Sequence, residues 1–121
     1  MNRTYLLIIL MTILFPVKVM FALANPASVN CTQQGGQLIM QHRGDGGEYG
    51  VCLFEDNRQC EEWALFRGDC PKGGVKITGY TAPEAIYCAI SGGKTTDSPN
   101  ADCILPGGKV CSNEAFYKGQ C

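Results

Sequence analysis

Cys60-Glu61-Glu62-Trp63-Ala64-Leu65-Phe66-Arg67-Gly68-Asp69-Cys70 has a counterpart at the end of the chain, Cys111-Ser112-Asn113-Glu114-Ala115-Phe116-Tyr117-Lys118-Gly119-Gln120-Cys121. Between each pair of cysteines an alanine, an apolar or aromatic pair, a basic residue and a glycine stand at the same offsets. Working outward, the next cysteine upstream is Cys52 in one case and Cys103 in the other, each with seven residues between. Further upstream, Asn25-Pro26-Ala27-Ser28-Val29-Asn30-Cys31, three residues and Gly35-Gly36 align with Ala82-Pro83-Glu84-Ala85-Ile86-Tyr87-Cys88, three residues and Gly92-Gly93. Shared spacing, glycine pairs and aromatic positions read as a tandem duplication. The second unit is six residues shorter between its first two cysteines. The expected layout is a first four-Cys unit at 25-70, a linker at 71-81 and a degenerate second unit at 82-121.

Local signals assign elements within each unit. Asn25 is a good N-cap with Pro26 at the first helical position, and Gly35 is a natural stop. Gln37 to His42 reads as a strand, Gly44-Asp45-Gly46-Gly47 as a turn, and Tyr49 to Phe54 as the partner strand. Asp56-Asn57 and Gly107-Gly108 each suit a two-residue hairpin loop, since both dipeptides tolerate positive φ. Glu61 to Arg67 reads as a closing helix ended by Gly68, with Ser112 to Lys118 as its counterpart. Thr81-x-x-Glu84 has the form of a capping box for the second unit's first helix, and Val75 to Tyr80 that of a strand crossing between units. The expected class is a small disulfide-rich α+β fold, two tandem helix–β-hairpin–helix repeats.

Residues 1-24 hold no cysteine. They run from Met1-Asn2-Arg3 through an apolar stretch, Thr4 to Phe15, to Pro16 and then Ala22-Leu23-Ala24. A positive start, a short apolar core and a small-x-small site describe an export signal. A membrane anchor needs about 20 apolar residues. Removing the segment leaves 8 basic against 11 acidic residues and a net charge of about −3. That balance attracts neither nucleic acid nor anionic lipid. The expected product is soluble, periplasmic or extracellular, with no stable membrane insertion after cleavage.

All eight cysteines, Cys31, Cys52, Cys60, Cys70, Cys88, Cys103, Cys111 and Cys121, follow that segment. A unit of this size sits near the limit at which a hydrophobic core suffices alone. Two bridges per unit, each worth roughly 2–4 kcal/mol, close the gap. Zinc sites favour Cys pairs two to four residues apart, and gaps of seven and nine do not fit. No metal or other cofactor is therefore expected. A two-residue loop at Asp56-Asn57 sets Leu53 opposite Cys60 and Cys52 opposite Glu61, which turns Cys52 and Cys60 to opposite faces and disfavours their bridge. Of the two remaining pairings, Cys31–Cys52 with Cys60–Cys70 ties the opening helix to the sheet and staples the closing helix across its ends. Cys88–Cys103 and Cys111–Cys121 follow by analogy.

The residues 25-36 quoted above, Gly50-Val51-Cys52 and the Cys60 to Cys70 stretch together resemble the bacterial family called Domain of Unknown Function 333. The resemblance implies a small exported protein without an established activity, in a family often labelled haemolysin. Members that keep cysteines only at the positions of Cys31 and Cys52 imply that the other two bond each other. The second unit departs from the family by placing Glu114 where Trp63 stands.

Catalytic constellations are sparse. With every cysteine paired no thiolate nucleophile remains, and His42, beside Gln41 and Arg43, reads as a surface residue without a triad context. Glu61-Glu62 and Glu55-Asp56 are adjacent carboxylates that do not aim at one point, and solvated positions are expected for them. Trp63, Phe66 and Arg67 share a helical face, where Trp63 and Arg67 suit a cation–π pair. The three are either core of a tiny domain or an exposed aromatic-plus-arginine surface of the binding hot-spot type. The expected function is a non-enzymatic interaction module for an unidentified protein or envelope component, through Trp63, Phe66, Arg67 and Arg58. The alternative is a double-headed inhibitor of trypsin-like proteases through Arg58 and Lys109, with membrane lysis less favoured because no long apolar segment follows the signal. Intact mass of the protein recovered from a bacterial envelope fraction should correspond to a chain beginning at Asn25. Retention of residues 1-24 would make the protein membrane-anchored instead.

Overall fold

A computed structural model describes residues 25–121; the export segment at 1-24 lies outside the described residues. The Asn25 side chain accepts from the backbone N–H groups of Ala27 and Ser28 and starts α1, Pro26–Gln33, with Pro26 in the first turn. Strand β1, Gln37–His42, pairs antiparallel with β2, Glu48–Leu53. A short 3₁₀ turn, Glu55–Asn57, leads into β3, Arg58–Glu61. Helix α2, Glu62–Arg67, follows at once and ends at Gly68, which adopts the left-handed conformation with φ 83°. Strand β4, Val75–Lys76, completes a four-stranded sheet in the order β1-β2-β3-β4. Beyond it come α3, Pro83–Ile90, a two-stranded sheet of β5, Asp102–Ile104, and β6, Val110–Ser112, and then α4, Asn113–Tyr117. The protein is an α+β fold with four disulfides.

The sheet's two faces carry different loads. Along β1 and β2 the even-numbered side chains share one face. There Cys52 and Cys60 meet Cys31 of α1, Ala64 and Leu65 of α2, and Cys70, with Leu38 and Phe54 packed against them. On the odd face Val51 packs with Ile77 and Ile90, flanked by Tyr49 and Ile86. Ile86 and Ile90 belong to α3, so elements from both halves of the chain close on one sheet.

Disulfides join Cys31 to Cys52 and Cys60 to Cys70, with Cα separations of 5.6 and 5.8 Å. They also join Cys88 to Cys103 and Cys111 to Cys121, at 5.9 and 6.1 Å.

Several expectations need correction. The hairpin loops have three residues, not two, because the Phe54 N–H donates to the Arg58 carbonyl and the Leu105 N–H to the Lys109 carbonyl, both at 2.8 Å. Asp56 and Asn57 take positive φ of 60° and 54° to make that loop. The register therefore sets Cys52 opposite Cys60 and Leu53 opposite Gln59. Cys52 and Cys60 point to the same face, and geometry within the hairpin does not forbid their bridge. Each is instead taken by a partner brought over the sheet by, or just after, a helix. The capping box at Thr81 does not form. Asp97, from the loop after α3, accepts from the N–H groups of Thr81 and Ala82 at 3.0 and 2.9 Å, and these donors hold its carboxyl below the usual value. The stretch expected to cross between units pairs only at Val75–Lys76, as the outer strand of the four-stranded sheet, and Ile77 behind it is buried. Residues 71-81 thus contribute to sheet and core.

Gly36 and Gly93 lie against the sulphurs. A Cβ on Gly36 would fall on Sγ of Cys52, and one on Gly93 would lie 2.5 Å from Sγ of Cys88 and 2.6 Å from that of Cys103. Gly36→Ala and Gly93→Ala should each lower unfolding free energy by about 1–3 kcal/mol through overpacking. Urea titration of the oxidised variants checks this, and unchanged midpoints would show that the bridges shift freely.

Candidate functional site

Helix α2 is set on the sheet by two adjacent carboxylates. Glu61 is its N-cap, accepting from the N–H of Trp63 at 3.1 Å and of Ala64 at 2.8 Å. Glu62 turns the other way and accepts from Ser28 Oγ at 2.7 Å and Asn25 Nδ2 at 3.2 Å, both at the start of α1. Both glutamates are buried, where solvated positions were expected. The reason is that α1 folds over α2 and supplies donors that the sequence separates by 34 and 37 residues. Burial raises the Glu61 carboxyl above its ordinary value, against the lowering effect of the two backbone donors.

With Ala64 and Leu65 facing the sulphurs, Trp63 and Phe66 are left outside. They are 38% and 49% exposed and meet edge to face, with ring centroids 5.9 Å apart. Arg67 turns to Asp69, Nε donating to Oδ2 at 3.2 Å, and not to the indole as the helical spacing suggested. Arg67 and Asp69 line a cleft of about 320 Å³ shared with Glu61, Tyr87, Ser91 and Phe116. The exposed aromatic pair and this cleft flank the same short helix.

The other candidates lie apart. Arg58 is exposed at the start of β3, with its carbonyl bonded to Phe54 and its Cα opposite Lys76 of β4. It lines a separate groove with Gln34, Phe54 and Asp56. Lys109 is exposed beyond the β5–β6 loop. His42 is exposed at the end of β1, 3.4 Å from Glu48. Among the described residues no cluster of His, Cys, Asp and Glu is arranged to hold a metal ion, and no cysteine is free.

Tyr87 and its neighbours went unmarked in the sequence. Its ring lies 4.8 Å from Tyr49 of β2, 4.8 Å from Phe116 and 5.7 Å from Tyr117 of α4. Burial, with the two neighbouring phenols, pushes the Tyr49 hydroxyl up to about 12. Tyr117 also donates to the His42 carbonyl at 3.1 Å. Tyr117 stands at the offset from Cys111 that Phe66 has from Cys60, and there the later aromatic is consumed in packing while the earlier one faces solvent. Glu114, standing where Trp63 does, pairs with Lys118 at 2.6 Å.

Comparison with known proteins bears on the same segment. Residues 22–69 match the family model described as Domain of unknown function (DUF333). "Uncharacterized protein YoaF" of Escherichia coli strain K12 is 43% identical over 51 residues, covering 42% of this chain and 60% of that protein. Proteins of the same name from Escherichia coli O6:H1 and Shigella flexneri give the same figures. The chain thus spans about three-fifths of the length of the curated relatives it matches. No solved structure matches it.

Because the folded state binds the Glu61 proton more tightly than the unfolded state, Glu61 costs stability as pH rises from its ordinary value near 4.5 through the raised one. The stability difference between wild type and Glu61→Gln should therefore shift against wild type between about pH 4 and about pH 7. Urea midpoints across that range measure it, and parallel profiles would refute the assignment.

Proposed function

The chain belongs, through residues 22–69, to the family described as Domain of unknown function (DUF333), and from that premise we propose that it is an exported, non-enzymatic interaction module. We take it as two copies of one unit, 25-70 and 82-121, released into the periplasm or the extracellular space after cleavage before Asn25. Four disulfides are the mark of an oxidising, non-cytoplasmic compartment. Among the described residues no helix is long and apolar enough to cross a membrane.

One observation carries the reading. Trp63 and Phe66 stand exposed and edge to face on a helix that is locked from beneath by Glu61, Glu62 and Leu65. Exposed aromatics beside an arginine are the usual anchors of binding surfaces. Rigidity adds to their value, since a preorganised surface loses little freedom on binding. In the other unit the equivalent aromatic is spent on packing, which favours the first as the unit that carries the partner surface.

Inhibition of trypsin-like proteases through Arg58 and Lys109 has less support. A protease cleft takes an extended loop, whereas Arg58 is paired with strands on both sides.

Trp63→Ala and Phe66→Ala should each cost less than about 1 kcal/mol of stability, the range expected for exposed positions. Each should weaken capture of the envelope component that wild type retains at least tenfold, the scale of a binding anchor. Arg67→Ala should weaken it less. Pull-down from envelope extract paired with thermal melts checks both halves. Unfolding of Trp63→Ala with normal binding by Phe66→Ala would overturn the assignment.

A further inference from the structure

The four-stranded sheet treats its two edges differently. Strand β4 is only two residues long and carries Lys76, two features that discourage another strand from pairing. Strand β1 is six residues long, and Gln37 to Gln41 contain no charge and no proline. Met40, in its middle, is 51% exposed.

The hydrogen-bond pattern shows which backbone groups of β1 are open. At the hairpin end the Arg43 N–H donates to the Gly47 carbonyl at 2.7 Å. Bonded residues alternate along an antiparallel pair, so Gln41, Ile39 and Gln37 bond to β2. Leu38, Met40 and His42 turn their N–H and C=O groups to the outer edge. At each end of that edge one group is already taken. The His42 carbonyl accepts from the Tyr117 hydroxyl at 3.1 Å, and the Gly36 N–H donates to the Cys31 carbonyl at 3.0 Å. Among the described residues, Leu38 and Met40 have both outward groups without a partner, placed symmetrically about Ile39.

We propose that a second copy of this chain pairs there, β1 against β1 in antiparallel sense, with a two-fold axis through Ile39. Leu38 of each copy then exchanges both backbone hydrogen bonds with Met40 of the other, which satisfies all four open groups per pair of residues. Ile39 faces Ile39, and the Gln37 amide meets the Gln41 amide. No like charges come together, although each copy is acidic overall. A two-fold contact uses the same groups on both copies, and the uncharged stretch Gln37 to Gln41 lets two acidic copies meet there without like-charge contact. A strand pair this short buries less than the roughly 1,200–2,000 Å² of stable complexes, so the dimer is weak and concentration-dependent. The proposal does not depend on the Trp63 surface, which lies on α2.

The test uses protein expressed from the full chain and recovered oxidised. Sedimentation equilibrium from about 10 μM to about 1 mM, the range of weak association, should show the mass rising toward twice that of one chain. Met40→Lys, an exposed edge charge, should remain monomeric over the same range with its four disulfides intact. In a non-hydrogen-bonded pair the two Ile39 Cα atoms lie about 4.5 Å apart, within disulfide reach. Ile39→Cys should therefore oxidise to a covalent dimer that retains the four native bridges by mass mapping, whereas Met40→Cys, facing Leu38, should not. Wild type that stays monomeric at about 1 mM would overturn the proposal. So would a dimer that Met40→Lys leaves intact and Ile39→Cys does not cross-link.

Discussion

Cys52 and Cys60 stand opposite each other on neighbouring strands and on one face of the sheet, and each is bonded to a residue that arrives from above. Cys31 comes from α1, and Cys70 from the turn after α2. These two anchor points fix where both helices lie. They also account for the small residues nearby, since Ala64 packs among the cysteines and Gly36 must leave room for sulphur. A sheet this narrow offers little apolar area, and the bridges restrict the unfolded chain where burial alone is insufficient.

Once the helices are fixed, Glu62 finds its donors at the start of α1 and Glu61 caps α2. The helix has little freedom to roll. Leu65 and Ala64 take the inward positions, and Trp63 and Phe66 are left in solvent. The exposed aromatic pair is a consequence of filling the inner face with sulphur and carboxylate. On the opposite face α3 and α4 pack through Ile90, Tyr87 and Tyr117. The Cys111 to Cys121 segment therefore differs from the Cys60 to Cys70 segment in what its aromatics do, although the two bridges span the same ten positions.

Cysteine spacing, the Asn25-Pro26 helix start, the bounds of β1 and the Gly68 stop were legible because each is decided within a few residues of chain. The α+β class and the wealth of disulfides follow from such local signals. The hairpin register was not legible. Asp56-Asn57 tolerates positive φ in a loop of two or of three residues, and the bond between Phe54 and Arg58 selects the longer one. The capping box expected before α3 was misread for a related reason, since Asp97 from beyond the helix binds the Thr81 and Ala82 N–H groups and α3 starts at Ala82 without a side-chain cap.

The sequence by itself determined the number of covalent clamps and the short helices and strands they hold, because composition and short-range spacing govern these. Only the tertiary structure decided which side chains are spent in packing and which are left for binding. Trp63 has the composition of a core residue and the position of a surface one. Glu62 has the composition of a surface residue and lies buried beneath α1. Burial is set by what arrives from distant parts of the chain, and no periodicity within a six-residue helix records that.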